Sequence, residues 1–142
     1  MKAVHRRRLL MLAAFLRKLP RSRFNFHHWV GPYWKGSQDL ACGTAACAMG
    51  WAATIPELRR AGLRLVQTVQ GIGHVVLRGQ EPEDTYGSAT ERAAASKVFG
   101  ITDDDQFNRL FIPEHTLPGD ATPKRVAREI ERYVREQERR AE

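Results

Sequence analysis

Residues 42–54 read CGTAACAMGWAAT, an uncharged run rich in glycine and alanine with a single tryptophan, and the fold turns on how it is read. In a helix, Gly43, Ala46, Cys47, Gly50 and Ala53 recur at steps of three and four and share one nearly flat face. Such a face lets another backbone come close. Glycine inside a helix costs about 1 kcal/mol relative to alanine, so close packing of a neighbouring element, or of a ligand, has to offset it. Met49, Trp51 and Ala52 leave in other directions, which predicts a central element that is apolar on most sides and buried. Gly43, Thr44, Cys47, Gly50 and Trp51 are therefore the structural motif around which the chain is organised.

The 142 residues match one domain, 1–142, large enough to bury a core without metal or disulfide support. No run approaches the roughly 18 apolar residues of a membrane span. The opening MKAVHRRRLLMLAAFL imitates a secretory signal, but Arg17, Lys18, Leu19 and Pro20 stand where small cleavage-site residues belong, so it reads as a first helix. The two cysteines, Cys42 and Cys47, would point about 140° apart on a helix. Reduced thiols and a cytoplasmic setting are the expectation. Charge is unevenly spread: residues 1–38 hold nine bases and no acid, while the other 14 bases and 16 acids leave −2, giving the net +7. The basic character belongs to an N-terminal helix or arm. Arg6, Arg7, Arg8, Arg17, Lys18, Arg21 and Arg23 are its candidate surface for a protein partner or nucleic acid.

Along the chain, Leu9, Leu12, Phe15, Leu16 and Leu19 form an apolar stripe at helical spacing, closed by Pro20. Arg21 to Trp34 is an irregular aromatic segment that should pack over the core; interleaved bases and aromatics of this kind also suit stacking on nucleic-acid bases. Pro56 to Ala61 is a helical turn stopped by Gly62. Leu63 to Val69 and His74 to Arg78 read as a hairpin around Gln70, Gly71, Ile72 and Gly73. Ser88-Ala89-Thr90-Glu91 fits a capping box, predicting a helix to Phe99 with Gly100 after it. Thr102 and three aspartates open another helix with Phe107, Leu110 and Phe111 inward. Thr122 and Pro123 start a last helix that buries Val126, Ala127, Ile130, Tyr133 and Val134. Arg125 with Glu129, Glu131 with Arg135, and Glu136 with Arg140 are spaced for ion pairs along its wet side.

Arg23-Phe24 through Trp29, the run from Cys42 to Ala52, Ile55-Pro56-Glu57 and Gly62-Leu63, followed by Phe99-Gly100-Ile101 and Leu110-Phe111-Ile112-Pro113, resemble a group of small uncharacterised bacterial and prophage-encoded proteins with a CGTxxCxxGWA pattern. The resemblance spans most of the chain and implies phage or bacterial origin. It supplies no biochemical activity.

Thiol catalysis is the sharpest enzymatic reading. Cys42 stands at the expected helix start, where free amides favour a thiolate. The order Gln38, CGxxA, GHVVL and an acid looks like that of papain-like bacteriocin-processing peptidases. That likeness implies Cys42 as nucleophile, His74 as base, Asp84 as orienting acid and Gln38 as oxyanion donor. Two features depart from the pattern: only 31 residues separate Cys42 from His74, and Thr44 replaces the usual proline. Cys42, Cys47, His27 and His28 match no common zinc spacing, and no glycine-rich phosphate loop is present. The expectation is thus a mainly α, compact helical bundle with one small β-hairpin. Functionally it is a non-catalytic accessory or interaction protein without cofactor, binding an unknown protein partner and able to form a homodimer. A thiol hydrolase and a nucleic-acid binder are the alternatives.

Overall fold

The computed structural model describes residues 1–24, 29, 46–85, 87–112 and 122–142. The fold is mainly α, with six α-helices and one antiparallel hairpin among the described residues. Helix α1, Ala3–Lys18, buries Leu9, Leu12, Ala13 and Leu16. Helix α6, Pro123–Arg140, buries Val126, Ala127, Ile130, Tyr133 and Val134. Each set repeats at three and four residues, so each helix has one apolar stripe, and the two helices pack together along their length. The Thr122 hydroxyl accepts from the Arg125 amide at 3.2 Å, with Pro123 in the first turn, which sets the start of α6.

The run at 46–54 departs from the expected helix. Ala46 forms a parallel bridge with Phe24, its amide donating to the Arg23 carbonyl at 3.2 Å. Cys47 is extended and serves as N-cap, and α2 covers only Ala48–Ala52. The single flat face through Ala46 and Cys47 is therefore not formed, because the backbone there pairs with the segment after α1. Cys42, Gly43 and Thr44 lie outside the described residues. A turn leads to Ile55 and α3, Pro56–Arg60, with proline in its first turn.

Strands β1, Leu63–Gln67, and β2, Gly73–Leu77, pair with Leu65 opposite Val75 and Val66 opposite His74. The turn is closed by the Thr68 amide on the Ile72 carbonyl at 2.8 Å. Leu63 and Leu65 are buried, as are His74, Val75 and Val76. Helix α4, Ala89–Phe99, packs on β2. It ends at Gly100, whose φ of +71° favours glycine. Helix α5, Asp104–Phe111, is capped by the Asp103 carboxylate accepting from the Gln106 amide at 3.0 Å. Phe111 stands between Phe99 and Phe107 in an aromatic file, with ring centroids 5.7 Å from the first and 5.2 Å from the second.

Two further expectations change. The Ser88 side chain does not cap α4; its hydroxyl accepts from Arg92 Nε, and Glu91 turns inward. The acids of α6 reach other helices: Glu131 meets Arg17 of α1, and Glu129 and Glu136 both meet Arg109 of α5. An interhelical arginine can fix two elements at once, which a pair along one helix cannot do.

Candidate functional site

Gly50 shows why the central motif needs small residues. A Cβ built there would lie 1.8 Å from the Trp29 carbonyl oxygen, far inside contact distance. The expected close approach of another backbone is thus present, made by Trp29; the rest of the aromatic segment, 25–28 and 30–34, lies outside the described residues. The Trp29 ring in turn leans on Phe107 at 6.2 Å. Trp51 is nearly buried, and its indole N–H donates to the Arg23 carbonyl at 2.8 Å, the partner a buried indole requires. Phe15 lies against its ring, and the Arg23 guanidinium sits 5.0 Å from the ring centroid. Cys47 is sealed beside these groups, and burial pushes its thiol up to about 12. At neutral pH that sulfur is a protonated small hydrophobe.

His74 is 1% exposed and Glu91 is fully buried. His74 Nδ1 lies 2.9 Å from Glu91 Oε2, and Nε2 lies 2.7 Å from the Thr85 carbonyl oxygen. A carbonyl only accepts, so Nε2 carries a hydrogen and donates it. One proton then remains between Nδ1 and the carboxyl group, and the pair as a whole is neutral. The Val75 amide donates to Oε2 at 2.7 Å and the Thr90 hydroxyl to Oε1 at 2.9 Å, so the carboxyl group is well supplied with donors. Burial raises the Glu91 pKa above the usual carboxylate range, against the pull of the Val75 amide, His74 and Thr90.

The arrangement also protects a sheet edge. Gly62 and Arg78 share a backbone bond across the hairpin, as do Thr68 and Ile72. In the alternating antiparallel pattern, the amides of Val75 and Leu77 therefore point away from β1. Glu91 takes the first and the Gln80 side chain takes the second, at 3.1 Å. Unpaired edge amides invite pairing with another strand, and here side chains occupy them.

Among the residues of the thiol-hydrolase alternative, Cys42 and Gln38 lie outside the described residues. Asp84 is exposed, and the carboxylate that orients His74 is Glu91. Glu91 was hidden because Ser88-x-x-Glu91 has the form of a capping box. The available signal was His74 itself, an imidazole inside an otherwise apolar strand, which needs a buried partner.

The basic N-terminal residues engage their own chain. Arg6 pairs with Glu138, Arg7 with Glu57 at 3.1 Å and Arg17 with Glu131, while Arg8 donates to the Val98 carbonyl at 3.0 Å. Lys18 is exposed, as is Arg21 in the short 3-10 turn Arg21–Arg23. Among the described residues, no group of three or more His, Cys, Asp or Glu side chains is arranged to hold a metal ion, and no helix is long and apolar enough to cross a membrane. No protein-family model, no curated protein and no solved structure matches this chain.

Proposed function

We propose that this protein is a small non-catalytic helical binding domain, an accessory factor of phage or bacterial origin. One observation carries the reading: both nitrogens of His74 are committed inside the fold, to Glu91 and to the Thr85 carbonyl, with no exposed edge left to take a proton from a nucleophile. A general base must reach the proton it abstracts. Cys47, the described thiol, is buried and protonated. The chemistry-bearing side chains buried among the described residues thus act as structural ties, which leaves function to the surface.

The test is residue-resolved alkylation of the intact protein with iodoacetamide, followed by mass spectrometry across neutral pH. Cys42 should react no faster than a free thiol, and His74→Gln should lower stability without changing the Cys42 rate in the folded fraction. A Cys42 rate more than about tenfold above a free thiol at neutral pH, lost in His74→Gln, would reinstate the hydrolase.

A further inference from the structure

An open cleft of about 360 Å³ lies where three elements end, lined by Arg60, Ala61, Gly62, Leu77, Arg78 and Lys97. Arg60 is the last residue of α3, Leu77 the last of β2, and Lys97 belongs to the last turn of α4. The Arg78 amide donates to the Gly62 carbonyl at 2.8 Å, which fixes the floor. Gly62 has a φ of +121°, so glycine suits that turn.

Arg60, Arg78 and Lys97 are exposed, and no carboxylate among the described residues pairs with any of them. Six other arginines, Arg6, Arg7, Arg17, Arg92, Arg109 and Arg132, each meet an acid. Arg64 adds charge beside the cleft, with Nη1 turned back onto the Arg59 and Leu63 carbonyls at 2.6 and 2.7 Å. Its pKa is lowered by burial and then by the charges of Arg78 and Arg59. Favourable placement of cations at helix C-termini explains Arg60 and Lys97. It does not explain Arg78, which follows a strand.

We propose that this cleft seats phosphates of a nucleic-acid backbone. The inference rests on the reading of the protein as a binding domain and names its ligand. Arginine forks match phosphate oxygens, and release of counterions supplies affinity without apolar contact. An acidic protein partner fits less well, because stable protein interfaces are anchored by buried aromatic and other large side chains. The exposed large hydrophobics among the described residues are Met1 and Val69, neither of which lines the cleft.

The experiment is fluorescence anisotropy with labelled mixed-sequence oligonucleotides, one duplex and one single strand, titrated between roughly 50 and 200 mM salt. The cleft variant is Arg60→Gln/Arg78→Gln/Lys97→Gln. A charge-matched control, Lys2→Gln/Lys124→Gln/Arg139→Gln, changes exposed residues elsewhere, and thermal melts confirm that both variants fold. The cleft variant should lose at least about tenfold in affinity at low salt, with the log–log salt slope falling by about 2 to 3. The control should change affinity less than about threefold. No binding at low salt, or equal losses in the two variants, would overturn the proposal. So would displacement of the oligonucleotide by polyglutamate at equal charge concentration, which would make the partner a carboxylate-rich protein. Alkylation of Cys42 on the same wild-type sample keeps the two ideas apart, since a hyper-reactive thiol with intact cleft binding sinks only the non-catalytic reading.

Discussion

At Gly50 the space for a side chain is filled by the backbone of Trp29, and a carbonyl oxygen 1.8 Å from the would-be Cβ cannot be relieved by a rotamer change. Gly50→Ala should therefore destabilise by about 2 kcal/mol or more, read from denaturant midpoints, with a blue-to-red shift in tryptophan emission as Trp29 is displaced. Cys47 yields a second expectation. Its folded thiol stands near 12 while an unfolded thiol ionises near about 8.5. The folded state therefore keeps a proton that the unfolded state loses, and stability should decline from about pH 8.5 upward. Cys47→Ser should weaken that alkaline decline, as followed by thermal melts at stepped pH. Glu91 is the buried acceptor for the Val75 amide and the partner of His74. Glu91→Gln should cost about 1 to 3 kcal/mol through weakened bonds to both, measured by denaturant unfolding.

Between elements, arginines act as the clamps. Arg92 of α4 donates to Ser88, to Asp104 at 3.1 Å and to Asn108 at 2.6 Å, and its guanidinium lies 4.6 Å from the Phe107 ring centroid, tying α4 to α5. Arg109 of α5 bridges Glu129 and Glu136 of α6 and is only 16% exposed. Removing it leaves two carboxylates facing each other in a partly buried seam. Arg109→Met should cost about 2 to 4 kcal/mol, measured by urea unfolding. The hydrogen bond from Arg109 holds the Glu136 carboxyl below its ordinary range. That contribution is present above the ordinary carboxylate pKa and is lost as pH falls through the lowered value. Arg109→Met should accordingly show a shallower acid dependence than the parent protein. Helix boundaries were legible from periodicity and punctuation: the Leu9 to Leu16 stripe, Gly100 after α4 and Thr122-Pro123 before α6 each mark an observed element or end. The partners of the charged residues were not. Spacing along one helix says which acids and bases are near neighbours, whereas Glu131 and Glu136 were claimed by α1 and α5 across tertiary contacts.

At the scale of the molecule, the hydrophobic core draws on α1 through α6 and both strands, and the basic N-terminal sequence is folded into it as a helix with a buried stripe. What sequence periodicity could not show at 46–54 was the parallel bridge to Phe24, a long-range pairing that overrides helix spacing and begins α2 only at Ala48. The candidate site was half visible for the same reason. His74 is legible in the sequence as the candidate base, but its partner stands on α4 and its second acceptor is the Thr85 carbonyl, both joined to it only by tertiary packing. Because this cluster links the hairpin to α4, it should open only when the hairpin leaves the helical body. The most direct measurement is long-range nitrogen–proton NMR of the His74 ring at neutral pH, with exchange into D2O. Nε2 should carry a hydrogen that is protected together with the backbone amides of the hairpin. A bare Nε2, or a ring hydrogen lost within the dead time while the hairpin amides remain protected, would contradict this.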